Sequence, residues 1–395
     1  MSRTLLLSAC EPSGDALGAS LMAALRQHAP DTRFIGGGGP LMVEQGLEDP
    51  LDTDGLAVMG PADALAAIPK ALGLASSLAA LARDEKPDAA ILVDSWAFSK
   101  AVADRIKKKA PETKLVKLGV PQVWASRPHR AAVAAELFDL LLCLLPFEPK
   151  HFTDIGGNAK FVGNPNYQVA ASTPRSGPAF RARHEIGDAP LLLLLPGSRD
   201  GEVKRLLPVF EPTLQDIAAR IPGLKTAVIA APSVEERVRA ATRTWNTDVL
   251  IVPPEERFNA FDAGDVALAA SGTVTTELAL AGTPMVVTYK VAPIAAYYAK
   301  KVITTPYVTI LNIMAGDAVI PERIQQECMP SQLSADVVRL FQDDDARRRQ
   351  TSAFRRLLPG LIGSHDAADQ AAQEIITLVD GEGRGDLNGG ASWEG

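Results

Sequence analysis

The fold is decided by a segment near the start of the chain, Leu5-Leu6-Leu7-Ser8-Ala9-Cys10-Glu11-Pro12-Ser13-Gly14-Asp15. Its leucines predict a buried strand. The apolar residues that follow at spacings of three and four predict a helix over residues 12–28. A strand that ends in a carboxylate and a glycine turn, just before a helix, is typical of ligand sites in open α/β sheets.

The same arrangement recurs in the second half of the chain. Residues 191–195 are all leucine, Pro196-Gly197-Ser198-Arg199 forms a small-residue turn, and a helical pattern begins at about Glu202. Two such units predict an α/β protein with two Rossmann-like domains that face each other across a cleft.

Short apolar runs alternate with helical patterns along most of the chain, which indicates parallel sheets with crossover helices. The segment 171–177 is the best linker, so we expect a first domain over residues 1–170 and a second over 171–343. The Gly-rich residues 381–395 predict a disordered tail. The predicted strands are residues 4–9, 89–93, 115–118, 140–144, 160–162, 191–195, 226–230, 249–252, 266–269 and 285–289.

The composition of the chain limits the classes of function that it can have. The chain has 395 residues, 47% hydrophobic, and a formal net charge of -7, which argues against a general nucleic-acid binder because phosphate neutralisation needs a basic face. Cys10, Cys143 and Cys328 are far apart and predict buried thiols in a reducing compartment. The start of the chain lacks signal-peptide features and no stretch is long enough to span a bilayer, so we expect a cytoplasmic location.

Two turns in the first half carry candidate chemistry. Gly14 lets the backbone approach a ligand, and Glu11 can touch a sugar hydroxyl; alternatively, Glu11 and Asp15 cap the first helix. Asp94 follows the apolar run 89–93 and can act as a general base. Its alternative role is a cap for the helix that begins near Phe98.

Two turns in the second half are suited to a nucleotide diphosphate. Gly197, Ser198 and Arg199 offer backbone amides and a guanidinium to phosphate, unless Arg199 merely pairs with Asp200 or Glu202. The turn Ser271-Gly272-Thr273 offers further amides, and Glu277 can accept hydrogen bonds from ribose hydroxyls. A helix cap with a structural glutamate explains that second turn equally well.

Together these motifs resemble the lipid-A-disaccharide synthase family, which are two-Rossmann-domain (GT-B) glycosyltransferases, over residues 5–372. Each motif alone is weak, but their order and spacing make the resemblance specific. The motifs are Glu11-Pro12-Ser13-Gly14-Asp15, Leu56-Ala57-Val58-Met59-Gly60, Pro121-Gln122-Val123-Trp124-Ala125, Leu145-Pro146-Phe147-Glu148, Leu195-Pro196-Gly197-Ser198-Arg199, Ser271-Gly272-Thr273 and Gly282-Thr283-Pro284-Met285-Val286-Val287.

The resemblance implies an inverting transfer of 2,3-diacylglucosamine from its UDP ester to 2,3-diacylglucosamine 1-phosphate, without metal or cofactor. It implies that helices within residues 344–380 pack back on the first domain. The implied catalytic residues are Asp94, Glu11 and Arg199. The implied UDP-sugar contacts are Gly197, Ser198, Arg199, Ser271, Gly272, Thr273, Glu277 and Asn312, and the implied acceptor contacts are Ser13, Gly14, Asp15 and Gln122.

The acylated substrates imply contact with the inner-membrane surface, and the resemblance allows a homodimer. Candidate membrane segments are residues 56–81 and the lysine-rich 100–117, although each is equally explained by packing or by helix-end charge.

The chain also departs from the family pattern. Trp96, Ala97 and Ser99 replace a proline, an aspartate and an asparagine, and Asn164 replaces a histidine. The competing functions are a UDP-sugar 2-epimerase, a transferase with a soluble acceptor, and a UDP-sugar-binding paralogue without activity.

Overall fold

The computed structural model of the protein describes residues 3–53, 55–56 and 61–381. The chain divides into two compact units, unit 1 (Met1–Pro165 with Gly363–Gly395) and unit 2 (Asn166–Ile362). The first division therefore falls at Pro165, slightly before the expected break after residue 170. The predicted tail lies, from residue 382 onward, outside the described residues.

Unit 1 is a seven-stranded sheet in which all strand pairs are parallel, with helices on both faces. The strands are β1 (Thr4–Ser8), β2 (Arg33–Gly37), β3 (Leu47–Glu48), β4 (Ala89–Val93), β5 (Lys114–Leu118), β6 (Leu140–Cys143) and β7 (Ala159–Phe161). The helices are α1 (Pro12–His28), α2 (Pro40–Glu44), α3 (Pro61–Glu85), α4 (Trp96–Lys109), α5 (Arg130–Leu137), α6 (Lys150–Thr153) and, at the end of the chain, α17 (Ala367–Asp380).

Alternate residues of the central strands enter two separate cores, one on each face of this sheet. Ala90 and Leu92 belong to the core that also contains α3 and α4 residues, whereas Ile91 and Val93 belong to the core with α1 and α17 residues. A side chain points to opposite faces at successive strand positions, so a strand covered on both faces must be apolar throughout. All five residues of β4 are buried.

The strand order is β3-β2-β1-β4-β5-β6-β7. From β1 the chain first adds β2 and β3 on one side and then adds β4 to β7 on the other, so the order of strands reverses between β1 and β4. The loops after those two strands diverge to opposite faces, which leaves a crevice at their carboxyl ends. The opening motif follows β1, and Asp94 follows β4.

Unit 2 repeats this plan with six parallel strands in the order β10-β9-β8-β11-β12-β13. The strands are β8 (Leu191–Leu195), β9 (Lys225–Ile229), β10 (Leu250–Val252), β11 (Val266–Ala270), β12 (Met285–Tyr289) and β13 (Glu322–Ile324). The helices are α7 (Pro165–Ser172), whose first residue belongs to unit 1, α8 (Gly177–Arg183), α9 (Asp200–Arg220), α10 (Glu235–Thr242), α11 (Arg257–Ala263), α12 (Val274–Ala281), α13 (Pro293–Val302), α14 (Ile310–Ala315), α15 (Pro330–Gln342) and α16 (Asp344–Ile362).

The helices of residues 344–380 do not pack together on the first domain, so that expectation is corrected. α17 packs against α1 in unit 1, but α16 packs against α12, α14 and α15 in unit 2. α16 buries apolar residues there together with Gln350, which is 2% exposed. Its amide accepts from Met285 N at 2.9 Å and donates to Met285 O at 3.1 Å, which fastens α16 to the start of β12.

The structure also bears on the expectations for the cysteines and for membrane-spanning helices. Cys10, Cys143 and Cys328 are free and buried, as predicted. Within the described ranges, no helix combines the length and the apolarity needed to cross a membrane.

We predict that Gln350→Ala lowers the free energy of unfolding by about 2–3 kcal/mol, because it leaves a buried N–H and a buried C=O of Met285 unpaired. Urea unfolding of the purified protein measures the change. Gln342→Ala, at an exposed position on α15, is the matched control and should shift stability by less than about 0.5 kcal/mol. Equal effects of the two substitutions would contradict this role of Gln350.

Candidate functional site

The first candidate site lies where the strand order of unit 1 reverses. A Cβ placed on Gly14 would lie 3.4 Å from Ala9 Cβ and 3.8 Å from Asp94 Cβ. The first turn of α1 therefore touches the end of β4. The structure brings the opening motif and Asp94 together, as the parallel sheet predicts.

The turn at Asp94 has an unusual backbone. Asp94 and Ser95 have φ angles of 47° and 30°, a left-handed region that non-glycine residues rarely adopt and that is often found at functional sites. Ser95 N-caps α4 but makes no capping bond with its side chain. The Ser99 hydroxyl instead donates to Asp94 O at 2.8 Å, so one family departure takes part in holding this turn.

Buried groups lie directly behind the turn. Lys117 on β5 is 0% exposed, and its Nζ donates to Asp94 O at 2.6 Å. Burial lowers the pKa of Lys117 to about 7, while the charges of Asp94 and Cys10 act in the opposite direction. Burial, together with the charge of Glu11, raises the pKa of the Cys10 thiol to about 12. Cys10 is therefore an unreactive thiol.

The acceptor candidates have different surroundings. Ser13 and Gln122 are exposed, as is Glu11, which begins α1 without a side-chain capping bond. Asp15 is 5% exposed, and its carboxylate accepts from Leu41 N at 3.0 Å and Met42 N at 3.1 Å. Asp15 thus caps α2, not α1, and its oxygens are occupied. The prediction that Asp15 contacts the acceptor does not fit this geometry.

Glu148 links two of the sequence motifs, residues 121–125 and 145–148, and was given no role of its own in the sequence analysis. Its carboxylate accepts from Trp124 Nε1 at 3.1 Å and from the amides of Leu144 and Leu145 at 3.1 and 3.0 Å. Burial raises the pKa of Glu148 to about 7, and these three hydrogen bonds oppose that rise. The pair of motifs therefore shapes the loops after β5 and β6.

Trp96, which departs from the family pattern, packs against other residues of unit 1. Its ring lies 6.4 Å from that of Phe138 and packs against the core that contains α3 and α4.

The second candidate site lies where the strand order of unit 2 reverses, between β8 and β11. Leu195 pairs with Ala269, and Ala270 pairs with Thr288. This register places the turn 196–199 beside the turn 271–273 and close to Tyr289 at the end of β12.

Glu202 is the centre of the first of these turns. It is 7% exposed, and its Oε2 accepts from Ser198 N at 3.2 Å and Arg199 N at 3.3 Å. Its Oε1 accepts from Arg199 Nη1 and from the Tyr289 hydroxyl, both at 3.1 Å. Burial, reinforced by the Glu202 carboxylate, raises the pKa of Tyr289.

This arrangement corrects part of the phosphate prediction. The amides of Ser198 and Arg199 bind Glu202, so they are not open to phosphate. Gly197 has φ 104°, and a Cβ there would lie 2.6 Å from Glu202 Oε2; the glycine accommodates the glutamate. The Arg199 side chain pairs with Glu202, as the alternative proposed, yet remains 70% exposed and available to a ligand.

The second turn of unit 2 is open. Gly272 and Thr273 are exposed, and a Cβ on Gly272 would meet no atom within 4 Å. Glu277 lies one turn into α12, with its Oε1 3.5 Å from Arg257 Nη2. Burial raises the pKa of Glu277, and Arg257 acts against it. An open glycine turn, followed by a carboxylate that lies beside Arg257, can hold a nucleotide.

Asn312 has a structural role, so its predicted contact with nucleotide is corrected. It is 0% exposed. Its Nδ2 donates to Ile320 O and Glu322 Oε1, each at 2.8 Å, and its Oδ1 accepts from Ile320 N. Glu322 also accepts from the amides of Val308 and Thr309, and so shapes the loop whose Val308 O lies 3.5 Å from Ser271 Oγ.

Two all-parallel sheets, each with small-residue turns at its reversal point, define a protein of the two-Rossmann-domain (GT-B) class. Solved structures agree on the fold. A putative UDP-N-acetylglucosamine 2-epimerase from Listeria monocytogenes has TM-score 0.63 at 12% identity, covering 97% of this chain and 98% of its own. S. aureus MnaA with UDP has TM-score 0.64 at 12% identity, covering 96% and 97%.

Sequence comparison gives the family. The family model described as lipid-A-disaccharide synthetase matches residues 5–376. The lipid-A-disaccharide synthase of Rhodospirillum centenum is 38% identical, over 94% of both chains. That of Paramagnetospirillum magneticum is 38% identical, over 94% of this chain and 97% of its own. The chain belongs to the lipid-A-disaccharide synthase family of glycosyltransferases, which confirms the resemblance drawn from its motifs.

We predict that Gly197→Ala lowers the free energy of unfolding by about 1–3 kcal/mol, because the new methyl group meets Glu202 and the backbone is left-handed. Gly272→Ala is the control, and should change stability by less than about 0.5 kcal/mol because its Cβ points into open space. Urea unfolding measures both. A tolerated alanine at position 197 would show that Glu202 does not occupy this turn in solution.

Proposed function

We propose that this chain transfers 2,3-diacylglucosamine from its UDP ester to the 6-hydroxyl of 2,3-diacylglucosamine 1-phosphate, giving a β-1,6-linked disaccharide 1-phosphate and UDP. The family match over residues 5–376 carries the proposal. The placement of family motifs at the two strand reversals supports it, because ligands bind at such points in open α/β sheets.

In this proposal unit 1 activates the acceptor. The Asp94 carboxylate accepts the proton of the 6-hydroxyl, whose oxygen attacks the anomeric carbon of the donor sugar. Glu11, Ser13 and Gln122, all exposed at the same carboxyl edge, contact the acceptor, and Gly14 lets their turn approach Asp94. The bond from the anomeric carbon to the diphosphate oxygen breaks from the opposite side, which inverts the configuration.

Unit 2 binds the donor and stabilises the leaving group. UDP departs with additional negative charge on its diphosphate, and the exposed guanidinium of Arg199 neutralises it. The open turn at Ser271, Gly272 and Thr273 supplies hydrogen-bond donors, and Glu277 accepts from ribose hydroxyls. Glu202 holds the Arg199 side chain in place.

The reaction is tested by incubating purified protein with the diacylated UDP-sugar, with and without the diacylated sugar phosphate, and analysing the products by mass spectrometry. Disaccharide 1-phosphate and UDP that depend on both substrates support the proposal. A sugar epimer formed without acceptor would indicate a 2-epimerase. Binding of UDP-sugar with no product would indicate a paralogue without activity.

Variants separate the two roles. We predict that Asp94→Ala lowers kcat by about 10²- to 10⁴-fold by removing the general base, while UDP affinity is retained. Arg199→Ala should weaken UDP binding by about 10- to 100-fold through loss of a charge-assisted contact, and should lower turnover as well. Calorimetry and the product assay measure these effects.

The matched controls are Asp84→Ala and Arg243→Ala, which remove the same charges at exposed positions of α3 and the α10 end. Both should behave as wild type. Equal UDP affinity in wild type and Arg199→Ala would overturn the diphosphate assignment.

We also propose that α3 contacts the membrane that holds the acylated substrates. α3 has two faces: Leu74 and Leu78 are buried against its own sheet, whereas Ile68 and Leu72 are 47% and 43% exposed. The packing alternative thus accounts for only one face. Lys107, Lys108 and Lys109, at the end of the neighbouring α4, are exposed and attract anionic lipid.

The double variant Ile68→Ser/Leu72→Ser should bind vesicles containing anionic phospholipid about 30-fold less tightly, since each of the two aliphatic side chains contributes about 1 kcal/mol. Cosedimentation measures binding. Ile155→Ser, at an isoleucine of unit 1 that is 52% exposed, is the control and should bind as wild type. Unchanged binding of the double variant would exclude this face.

A further inference from the structure

Lys117 is a buried cation whose partners are all backbone carbonyls. It lies on β5, an inner strand of the unit 1 sheet, and is 0% exposed. Its Nζ donates to Leu92 O at 3.2 Å, to Asp94 O at 2.6 Å and to Leu118 O at 3.0 Å. An ammonium group has three N–H donors, so three carbonyl acceptors satisfy its charged form fully.

Burying such a charged group lowers the stability of the fold. In the part of the chain described here, the Lys117 ammonium forms no ion pair, although burying a charge is tolerated mainly when it is paired. A methionine would fill the same space on β5 without that penalty. Core packing alone therefore gives no reason for a lysine at this position.

The carbonyls it binds explain the lysine. Asp94 O belongs to the left-handed turn, Leu92 O to β4, which leads into the turn, and Leu118 O to β5, the neighbouring strand that also carries Lys117. Asp94 N donates to Leu118 O at 2.9 Å, and Ser99 Oγ donates to Asp94 O. Lys117 thus connects the strained turn to β4 and to β5 through hydrogen bonds. A strained backbone conformation persists only when the surrounding structure stabilises it.

We propose that Lys117 is a positioning residue for glycosyl transfer: its ammonium holds the Asp94 carbonyl, and thereby keeps the Asp94 carboxylate oriented at the carboxyl edge of the sheet. This inference rests on the proposed role of Asp94 as the base. Lys117 itself touches no substrate, because it is enclosed by the sheet and the helices that cover it.

The protonation state of Lys117 then matters for turnover. A neutral amine has only two N–H donors, so one of the three carbonyls loses its bond when Lys117 deprotonates. Burial lowers the pKa of Lys117 to about 7, and the groups whose charges act on it are Asp94 and Cys10, with Glu11 beside Cys10. The turn is held fully below that pKa and less firmly above it.

The test compares Lys117→Met and Lys117→Gln with wild type in the product assay. We expect kcat to fall at least about tenfold in both, with KM for the donor and UDP affinity within about twofold, as holds for loss of an interaction that orients the base. Wild-type kcat should decline on an alkaline limb near pH 7–8 that is absent from Lys117→Met. Lys114→Met, at an exposed lysine of the same strand, is the control and should match wild type.

A second readout does not depend on activity. Hydrogen exchange of the amides in residues 94–99 should be at least about tenfold faster in Lys117→Met and Lys117→Gln than in wild type, with exchange of unit 2 unchanged. If the chain makes no disaccharide, the proposed function fails and this readout still tests the role of Lys117. If Asp94→Ala is inactive while Lys117→Met keeps wild-type kcat, pH profile and exchange, the positioning role alone is overturned. Should Lys117→Met not fold, Lys117→Gln, which retains two donors, decides the question.

Discussion

Parallel strand pairing is the constraint on which the rest of this structure depends. Every strand pair in both sheets is parallel, so all strand carboxyl ends of a sheet lie along one edge. Turns that are remote in sequence, such as those at Glu11 and Asp94, are brought together by the pairing of the strands that precede them. The apolar strands supply the stability, and the turns are left free to carry chemistry.

Buried polar side chains then fix the shape of those turns. Lys117 holds the turn after β4, Glu148 the loops after β5 and β6, and Glu202 the turn after β8. The half-buried Glu322 holds the loop before α14 in the same way. Each forms hydrogen bonds with several backbone groups at these turns, and such pairing is the condition for burying a charge. The Arg199 side chain can remain 70% exposed while the backbone of its turn is held by Glu202.

Much of the fold could be predicted from the sequence. All ten predicted strands are present, since long apolar runs between helical patterns are unambiguous, and α1 begins and ends where its pattern placed it. β2, β3 and β13 were missed because β2 contains two glycines, β3 has only two residues, and β13 is short and charged. The capping roles of Asp15 and Glu202, and the burial of Asn312, depend on backbone partners whose positions only the folded chain defines. The segment Lys-Leu-Val-Lys-Leu at residues 114–118 gives no indication that its second lysine, Lys117, is buried, because only the position of β5 inside the sheet encloses it.

The most direct test of this account is hydrogen exchange of the full chain with and without UDP, read peptide by peptide. The account predicts that UDP slows exchange at residues 196–200 and 271–277, the turns at the carboxyl edge of the unit 2 sheet. Residues 221–225 and 264–266, at the amino ends of its strands, should exchange at the same rate in both samples. Protection at the amino ends, with none at the two turns, would contradict it.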